Sequence, residues 1–173
     1  LKKKNLELIA DSNSRKKDSL SLELKSHFIH WHEIADKNNM EVINQIRKDG
    51  IHILVDLSGH SAKNRLPIFI NKPAPIQASW AGYNGTTGIP EIDYFIGDPI
   101  VTPASESNYY VEKIFPLPNI WICYTAPDIE IKLDPLPAIK NGYITFGSFN
   151  NLSKINNEVI ALWSKILKAI PKS

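Results

Sequence analysis

The sequence that decides the fold is RKDGIHILVDLSGH, residues 47–60. Arg47 and Lys48 lie in the last turn of a predicted helix, where cations favour the free carbonyl groups. Gly50 can take the positive φ that ends a helix. Residues 51–57 are β-branched and nearly all apolar, which is typical of a parallel strand covered on both faces. A helix that runs directly into such a strand indicates an α/β fold.

The alternation of helix and strand continues on both sides of this stretch. Upstream, Asn38 and Asn39 form a start signal for the helix, and apolar residues follow at helical spacing. Downstream, we predict a short helix over residues 64–71. Strands are predicted over residues 76–80, 94–96, 114–117 and 121–124. This rhythm is that of an α/β domain with a mainly parallel sheet. Residues 1–39 are predicted to be polar and helical, with a loop over residues 11–19.

The chain changes character after residue 124. Prolines interrupt residues 125–141, which we interpret as a linker between two lobes. A strand over residues 143–146, a turn and a helix from about Asn156 follow. Because a lone strand and helix bury too little apolar surface to stand alone, residues 142–173 are expected to be the first βα unit of a second lobe. Residues 1–124 are expected to be the last part of the first lobe, so we expect a fragment of a longer protein.

Composition excludes several classes of protein. The chain has 173 residues, with 20 Lys and Arg against 18 Asp and Glu, and a net charge of +2. This charge is too small to predict binding to nucleic acid or to an anionic membrane, and the apolar runs are far shorter than a membrane span. Cys123 is the one cysteine, which excludes a disulfide framework. We expect it to be buried, in a cytoplasmic protein. His27, His30 and His32 lack the partners of a tetrahedral metal site, so no metal is predicted.

The strand, turn and helix over residues 143–170 carry one candidate site. The N-terminus of a helix presents unpaired N–H groups and partial positive charge, which favour phosphate. Lys154 precedes the helix and could reach a diphosphate, while Asn150 and Asn151 could bond to a ribose or a base. Alternatively, the two asparagines only shape the turn and Lys154 is solvated. The glycine fingerprint G-x-G-x-x-G is absent, which argues against a dehydrogenase.

A second candidate site follows two of the predicted strands. Ligands of open α/β sheets bind beyond the carboxyl ends of the strands, which is where Asp56 and His60 are expected. Residues 80–88 form a loop with three glycines, which allow a ligand to approach the backbone closely. The residues of this loop that could contact a ligand are Gly82, Tyr83 and Thr86. The alternatives are a plain turn at Asp56 and His60 and a purely structural loop over residues 80–88.

Two long segments together resemble one family. The first, residues 47–100, reads RKDGIHILVDLSGHSAKNRLPIFINKPAPIQASWAGYNGTTGIPEIDYFIGDPI. The second, residues 141–173, reads NGYITFGSFNNLSKINNEVIALWSKILKAIPKS. They are similar to the catalytic region of the protein O-GlcNAc transferase and SPINDLY family of glycosyltransferases. The resemblance implies a GT-B fold, with two Rossmann-like lobes and a nucleotide-sugar in the cleft between them. It also implies tetratricopeptide repeats upstream in the full-length protein.

The resemblance also implies a reaction and roles for particular residues. Members of the family transfer a sugar to Ser or Thr hydroxyls of proteins with inversion and without a metal, and a lysine and helix-end amides stabilise the leaving diphosphate. Lys154 matches that lysine in the segment FNNLSK. Asn151 lies where the animal O-GlcNAc transferases have Gln in the nucleotide-binding turn. His60 matches a His of the bacterial and SPINDLY-like members, where the animal enzymes have Tyr.

The donor stays open between two nucleotide-sugars. The segment FGSFNNLSK resembles the SPINDLY branch and bacterial homologues more than the animal enzymes. The SPINDLY branch in plants uses GDP-fucose, and the animal branch uses UDP-GlcNAc. We expect transfer of GlcNAc from UDP-GlcNAc to proteins, with fucose transfer from GDP-fucose as the first alternative. The second alternative is a non-catalytic binding module with the same fold.

Overall fold

The computed structural model describes residues 6–130 and 132–173. The described chain divides into two compact units, the first ending at Tyr124 and the second beginning at Thr125. The division falls where the sequence changes character. The assignment of the two units to two lobes stays a prediction.

The first unit alternates strands and helices. Its elements in chain order are β1 (Ile9–Ser12), α1 (Ser19–Lys25), β2 (His30–Glu33), α2 (Asn39–Lys48), β3 (Ile53–Asp56), β4 (Ile76–Trp80), β5 (Tyr94–Gly97) and β6 (Lys113–Pro116). All pairings among these strands are parallel. They form a two-stranded sheet, β1-β2, and a four-stranded sheet, β3-β4-β5-β6. The predicted α/β fold with parallel sheets is therefore confirmed.

Helix α2 begins and ends where local signals in the sequence place it. The Asn38 side chain accepts the N–H of Glu41, and the Glu41 carboxylate accepts the N–H of Asn38, which together form a capping box. At the other end Asp49 is the C-cap and Gly50 has a φ of +64°. The structure confirms this helix, and its start and stop follow from residues next to each end.

One face of the four-stranded sheet carries the core of the first unit. Val42, Ile43 and Ile46 of α2 point into it, and a 3-10 helix, Leu66–Asn71, adds further apolar residues. Leu54 of β3 packs against this cluster. The cluster consists of Ile34, Val42, Ile43, Ile46, Leu66, Ile68, Phe69, Ile89 and Ile92.

The other face of the same sheet is only partly covered, with Ala78 buried and Trp80 half-buried near its centre. Ile53 and Val55 of β3, Ile76 of β4 and Phe115 of β6 are exposed, although all are apolar. The prediction that β3 is covered on both faces is therefore wrong for the described chain. The apolar character of the strand is real, but only the residues that alternate with Ile53 and Val55 face the core.

Further predictions for the first unit are corrected by the structure. Residues 6–39 include two strands, β1 and β2, rather than only helix and loop, and residues 1–5 lie outside the described residues. Residues 121–124 form no strand, because Trp121 donates its N–H to the Asp98 carboxylate instead of to a sheet neighbour. The helix predicted from residue 64 is a 3-10 helix that begins at Leu66. Cys123 is exposed, not buried.

The second unit contains α3 (Pro137–Asn141), a 3-10 turn (Leu152–Lys154) and α4 (Asn157–Ala169). Helix α3 lies within residues 125–141, the proline-interrupted stretch that we interpret from the sequence as a linker. The predicted strand over residues 143–146 is irregular chain. A strand needs a partner for its hydrogen bonds, and residues 125–130 and 132–173 contain no strand to supply one.

Helix α4 is confirmed with the predicted N-cap. The Asn156 side chain accepts the N–H of Val159 at 2.9 Å, and Glu158 places a negative charge in the first turn. None of the residues of α4 is buried. Its apolar residues therefore lie at the surface of the second unit. No helix of the described chain combines the length and apolar character that crossing a membrane requires.

Candidate functional site

Asp56 ends β3 and shapes the turn that follows. Its carboxylate accepts the backbone N–H groups of Ser58 (3.2 Å) and Gly59 (2.7 Å) and the hydroxyl of Ser79 (3.1 Å). Ser79 is its register partner on β4. The side chain is buried, and its acceptor capacity is directed at the protein itself. Asp56 therefore holds the turn in place and does not present a free carboxylate.

Two glycines let this turn pack against the loop after β4. A Cβ atom on Gly82 would lie 2.5 Å from the carbonyl oxygen of Leu57 and from backbone atoms of Ser58. Gly59 has a φ of +50°, and a Cβ there would lie 2.7 Å from the Cβ of Tyr83. Because backbone meets backbone at this point, the turn after β3 and the loop after β4 form one joined surface.

Two of the exposed side chains of this surface are His60 and Tyr83. The Nε2 atom of His60 lies 3.2 Å from the carbonyl oxygen of Thr86, and its ring meets that of Tyr83 edge-on, with centroids 5.6 Å apart. A carbonyl oxygen only accepts, so Nε2 is the donor in this contact, and the tautomer that makes it has its acceptor at Nδ1. The structure thus brings Asp56, His60, Gly82, Tyr83 and Thr86 together.

Glu112 organises the loop after β4, and sequence reasoning missed it. Its buried carboxylate accepts the Thr86 hydroxyl (2.7 Å), the Thr87 N–H (2.7 Å) and the Thr87 hydroxyl. The hydroxyl oxygen of Thr86 also accepts the backbone N–H groups of Gly88 and Val111. The hydrogen bonds of both threonine side chains therefore stabilise the conformation of the loop. The pair of adjacent threonines was the one visible signal, since nothing near Glu112 in the sequence indicates its partners.

Asp98 organises the turn after β5 in the same way, and sequence reasoning missed this residue too. It is buried, and its carboxylate accepts the N–H groups of Ile100 and Val101 (2.8 Å each) and of Trp121 (2.9 Å). These hydrogen bonds, that from Val101 first, hold the pKa of Asp98 below its usual 3.8. An aspartate directly after a strand and before a proline is a turn signal. The sequence Gly97-Asp98-Pro99 could therefore have revealed this turn.

We expect Gly82→Ala to destabilise the first unit by about 1–3 kcal/mol, because the new methyl group would meet backbone that cannot move independently. The matched control is Gly85→Ala in the same loop. Its Cβ would lie 3.1 Å from the ring of Tyr83, a side chain that can turn away. Urea unfolding of both variants measures the difference. Equal stability of the two variants would contradict the close approach described here.

The Asp98 hydrogen bonds predict a pH dependence of stability. Because the folded state depresses the pKa of this carboxyl group, its contribution is complete above about pH 4 and is lost as the pH falls through the lower, folded-state pKa. The difference in urea midpoint between the unmodified chain and Asp98→Asn should therefore be constant near neutral pH and shrink below about pH 4. A difference that is independent of pH down to acid unfolding would rule out this role.

The turn before α4 holds Lys154 in the second unit. The Asn151 side-chain oxygen accepts the N–H of Ser153 (3.0 Å), and the Asn150 side-chain oxygen accepts the N–H of Asn151 (3.2 Å). Lys154 ends the 3-10 turn, is exposed, and makes no ion pair within the described residues. The two asparagine oxygens thus shape the turn, while their amide N–H₂ groups remain available as donors.

The start of α4 adds backbone donors close to Lys154 in sequence. Asn156 satisfies the N–H of Val159 with its side chain and that of Ile160 with its carbonyl oxygen. The amides of Asn157 and Glu158 have no intrahelical acceptor, as for the first turn of any helix. One ammonium group and two amides are therefore available to an anion in this short segment.

An apolar groove of about 360 Å³ lies elsewhere on the second unit. Its walls are Phe146, Gly147, Ser148, Trp163, Ile166 and Leu167, so Lys154 is not part of it. Among the described residues, no group of three or more His, Cys, Asp or Glu side chains is placed to hold a metal ion.

Parallel strands that end in glycine-containing loops define the first unit as an α/β structure, the class in which ligands usually bind beyond the carboxyl ends of the strands. In the second unit a lysine lies just before a helix N-terminus. Comparison with known proteins narrows this class. The sequence model of the family described as "Glycosyl transferase family 41" matches residues 6–126, and the chain belongs to this family.

Plant proteins are similar to most of the chain. A protein of Solanum lycopersicum named as a probable UDP-N-acetylglucosamine–peptide N-acetylglucosaminyltransferase SPINDLY is 43% identical over 143 residues, which is 83% of this chain and 15% of that protein. Its namesake in Oryza sativa subsp. japonica is 40% identical over 173 residues, covering 98% and 19%. The Arabidopsis thaliana protein with the corresponding name SEC is 34% identical over 164 residues, covering 87% and 16%.

A solved structure supports the same relationship. A mutant O-GlcNAc transferase of Thermobaculum terrenum superposes with a TM-score of 0.77 at 35% identity, covering 94% of this chain and 31% of that chain. The resemblance to the O-GlcNAc transferase and SPINDLY family and to its GT-B fold is therefore confirmed. The chain spans less than a fifth of the length of the plant relatives and about a third of the solved structure.

Proposed function

We propose that the full-length protein is a glycosyltransferase that transfers GlcNAc from UDP-GlcNAc to Ser or Thr hydroxyls of proteins. Membership of glycosyl transferase family 41 supports the reaction class. The names of the plant relatives, which specify UDP-N-acetylglucosamine and a peptide acceptor, support the donor and the acceptor. The observation that carries the proposal is the exposed ammonium group of Lys154 beside the first turn of α4.

In the proposed reaction, an acceptor hydroxyl attacks the anomeric carbon of the sugar from the face opposite the nucleotide. The bond from that carbon to the diphosphate oxygen breaks, and the electron pair leaves with the diphosphate. The ammonium group of Lys154 meets this developing charge together with the amides of Asn157 and Glu158, which the helix holds in a fixed direction. Inversion at the anomeric carbon is the stereochemical consequence. No protein-bound metal or other cofactor is part of the proposal.

The remaining candidate residues divide into two groups. The exposed His60 and Tyr83 are proposed to contact the acceptor, and Nδ1 of His60 is the candidate acceptor for the hydroxyl proton. The loop-shaping partners of Asp56, Gly82 and Thr86 support a positioning role for those three. The amide groups of Asn150 and Asn151 are proposed to donate to the nucleotide, whose ribose and base offer acceptors.

Titration of UDP and of GDP into the full-length protein tests the donor. We expect UDP to bind and GDP to bind more weakly, measured by calorimetry with the two nucleotides at matched concentrations. Preference for GDP would instead support protein O-fucosylation, the alternative favoured by the higher identity to SPINDLY proteins than to SEC. Binding of neither nucleotide would overturn both proposals in favour of a non-catalytic module.

We further propose a cytoplasmic protein whose full-length chain carries tetratricopeptide repeats upstream of this region. The repeats would serve to bind protein acceptors, while the residues described here serve the transfer. Neither nucleic acid nor a membrane is a proposed partner, in keeping with the net charge of +2.

A further inference from the structure

A polar groove of about 800 Å³ lies at the carboxyl ends of β1 and β3 in the first unit. The loop after β1 forms one wall, and the turn after β3 forms the other. The side chain of Asn13 in the first wall donates to the carbonyl oxygen of Lys63 in the second at 2.8 Å, so the two walls are joined. The groove is lined by residues 12–16, Ala35, Ser58 and residues 62–65.

The charged residues of this lining are all cations, namely Arg15, Lys16, Lys63 and Arg65. Two of the four are compensated by carboxylates outside the lining. Asp36 pairs with Arg15. Asp18 pairs with Lys16 at 3.0 Å. Lys63 and Arg65 make no ion pair within the described residues, so two positive charges of the groove remain uncompensated.

The guanidinium group of Arg65 has a fixed orientation and unused donor capacity. Its Nη2 atom donates to the carbonyl oxygen of Lys37 at 2.8 Å. Its Nε atom is buried and has no hydrogen-bond partner in the described part of the chain. Buried donors of folded proteins are nearly always paired. A guanidinium group that is already held in place is suited to bind an anion, because little freedom of movement is lost on binding.

The second uncompensated cation, Lys63, lies on a backbone that is also held in place. Its φ of +63° is uncommon for a residue with a side chain, and its carbonyl oxygen is the one that accepts from Asn13. Unusual backbone conformations of this kind are concentrated at functional sites. The ammonium group itself is exposed and free to meet a ligand in the groove.

The groove adjoins the surface that carries His60 and Tyr83. The chain leaves the groove at Ser58, passes through His60 and returns to the groove at Ala62. The Cα atoms of His60 and Ala62 are at most about 7 Å apart, because two residues of extended chain span no more than that. A peptide whose hydroxyl group lies at His60 therefore reaches the groove with side chains about two or three residues away.

We propose that this groove binds acidic side chains of the protein acceptor, on residues that flank the Ser or Thr that receives the sugar. This choice of occupant rests on the proposed function, in which His60 contacts the acceptor. Asp and Glu side chains match the two uncompensated cations, and such complementarity favours one partner over another. Hydroxyl groups of Ser12 and Ser58 add donors that a carboxylate can accept.

Binding of two fluorescent peptides to the full-length protein tests the proposal. Both peptides carry the same acceptor serine, with glutamates two and three residues away on each side in one and glutamines there in the other. In fluorescence anisotropy at low salt, we expect the glutamate peptide to bind about three- to tenfold more tightly. The difference should shrink as the salt concentration rises. Equal affinities at low salt would overturn the proposal.

Lys63→Gln tests whether the groove is the source of this preference. The substitution removes one cation and keeps the hydrogen bond from Asn13, which uses the Lys63 carbonyl group. We expect the preference for glutamate to fall about two- to threefold. The matched control is Lys48→Gln, which removes an exposed lysine from the last turn of α2 and should keep the full preference. An unchanged preference in Lys63→Gln, or a loss of UDP binding alone, would contradict the assignment.

Sugar transfer to the same two peptides separates this proposal from the proposed function. Preferential binding of the glutamate peptide without transfer from UDP-GlcNAc or GDP-fucose would support the groove and overturn the enzymatic function. Transfer to both peptides with equal kcat/KM and equal affinity would overturn the groove and support the enzymatic function. If both hold, the preference for glutamate should appear in the KM for the peptide.

Discussion

Lys154→Ala in the full-length protein is expected to lower kcat about 10²–10³-fold, the loss typical of removing one oriented donor from a developing negative charge. The ammonium group is exposed, makes no ion pair within the described residues, and ends the turn that leads into α4. Its removal should therefore affect leaving-group departure and leave the fold intact. Steady-state transfer to a protein acceptor measures the effect.

The matched control for Lys154 is Lys165→Ala, which removes another exposed lysine from the second unit, within α4. That variant should transfer sugar at a rate close to that of the unmodified protein. If Lys154→Ala were as active as both Lys165→Ala and the unmodified protein, the role of Lys154 would be contradicted. A parallel loss in both would indicate a general effect of charge on the nucleotide.

Phe95→Ala is expected to destabilise the first unit by about 3–5 kcal/mol, since truncating a buried aromatic side chain loses its transfer free energy and leaves a cavity. Phe95 lies on β5, is 0% exposed and packs against Tyr110 with ring centroids 5.0 Å apart. The midpoint of urea unfolding, followed by tryptophan fluorescence, measures the change. The magnitude depends on how far the neighbouring side chains relax.

Phe115→Ala is the control for that substitution, because it makes the same chemical change on the adjacent strand. Phe115 lies on the open face of β6 and is 53% exposed. Its truncation should cost less than half as much as that of Phe95. If the full-length protein shows equal losses for the two variants, the open face of the sheet is covered there by another part of the polypeptide.

Some parts of the fold follow from signals that act over a few residues. Helix α2 is fixed by the capping box at Asn38 and Glu41 and by the stop at Gly50, and all of these are readable in order along the chain. Helix α4 is fixed in the same way by Asn156. Strand β3 is recognisable because its apolar run is bounded by turn residues.

Other parts depend on contacts that the sequence does not announce. Strands β1 and β2 have four residues each and include charged side chains, so no periodicity reveals them. Residues 143–146 have the composition of a strand but no neighbour to pair with in the described chain. The open face of β3 was missed because an apolar run alone does not say how many of its faces are covered.

The same distinction applies to the candidate site. Lys154 and His60 are recognisable because they lie in turns next to regular elements. The loop that carries Tyr83 is held by Glu112, which lies 25 residues beyond Thr87 along the chain. A buried carboxylate that serves distant hydroxyl and amide groups has no local pattern, so only the folded structure could reveal it.

Parallel pairing throughout the first unit has a consequence for how the chain folds. Val55 pairs with Ala78, and Ala78 pairs with Tyr94. Each pair of neighbouring strands is therefore joined by its own long connecting segment. The entropy of closing these connections must be overcome before any pairing stabilises the chain. Folding is therefore expected to be slow compared with that of a helical bundle of equal length, and newly synthesised chains would expose unpaired strands to chaperones for correspondingly longer.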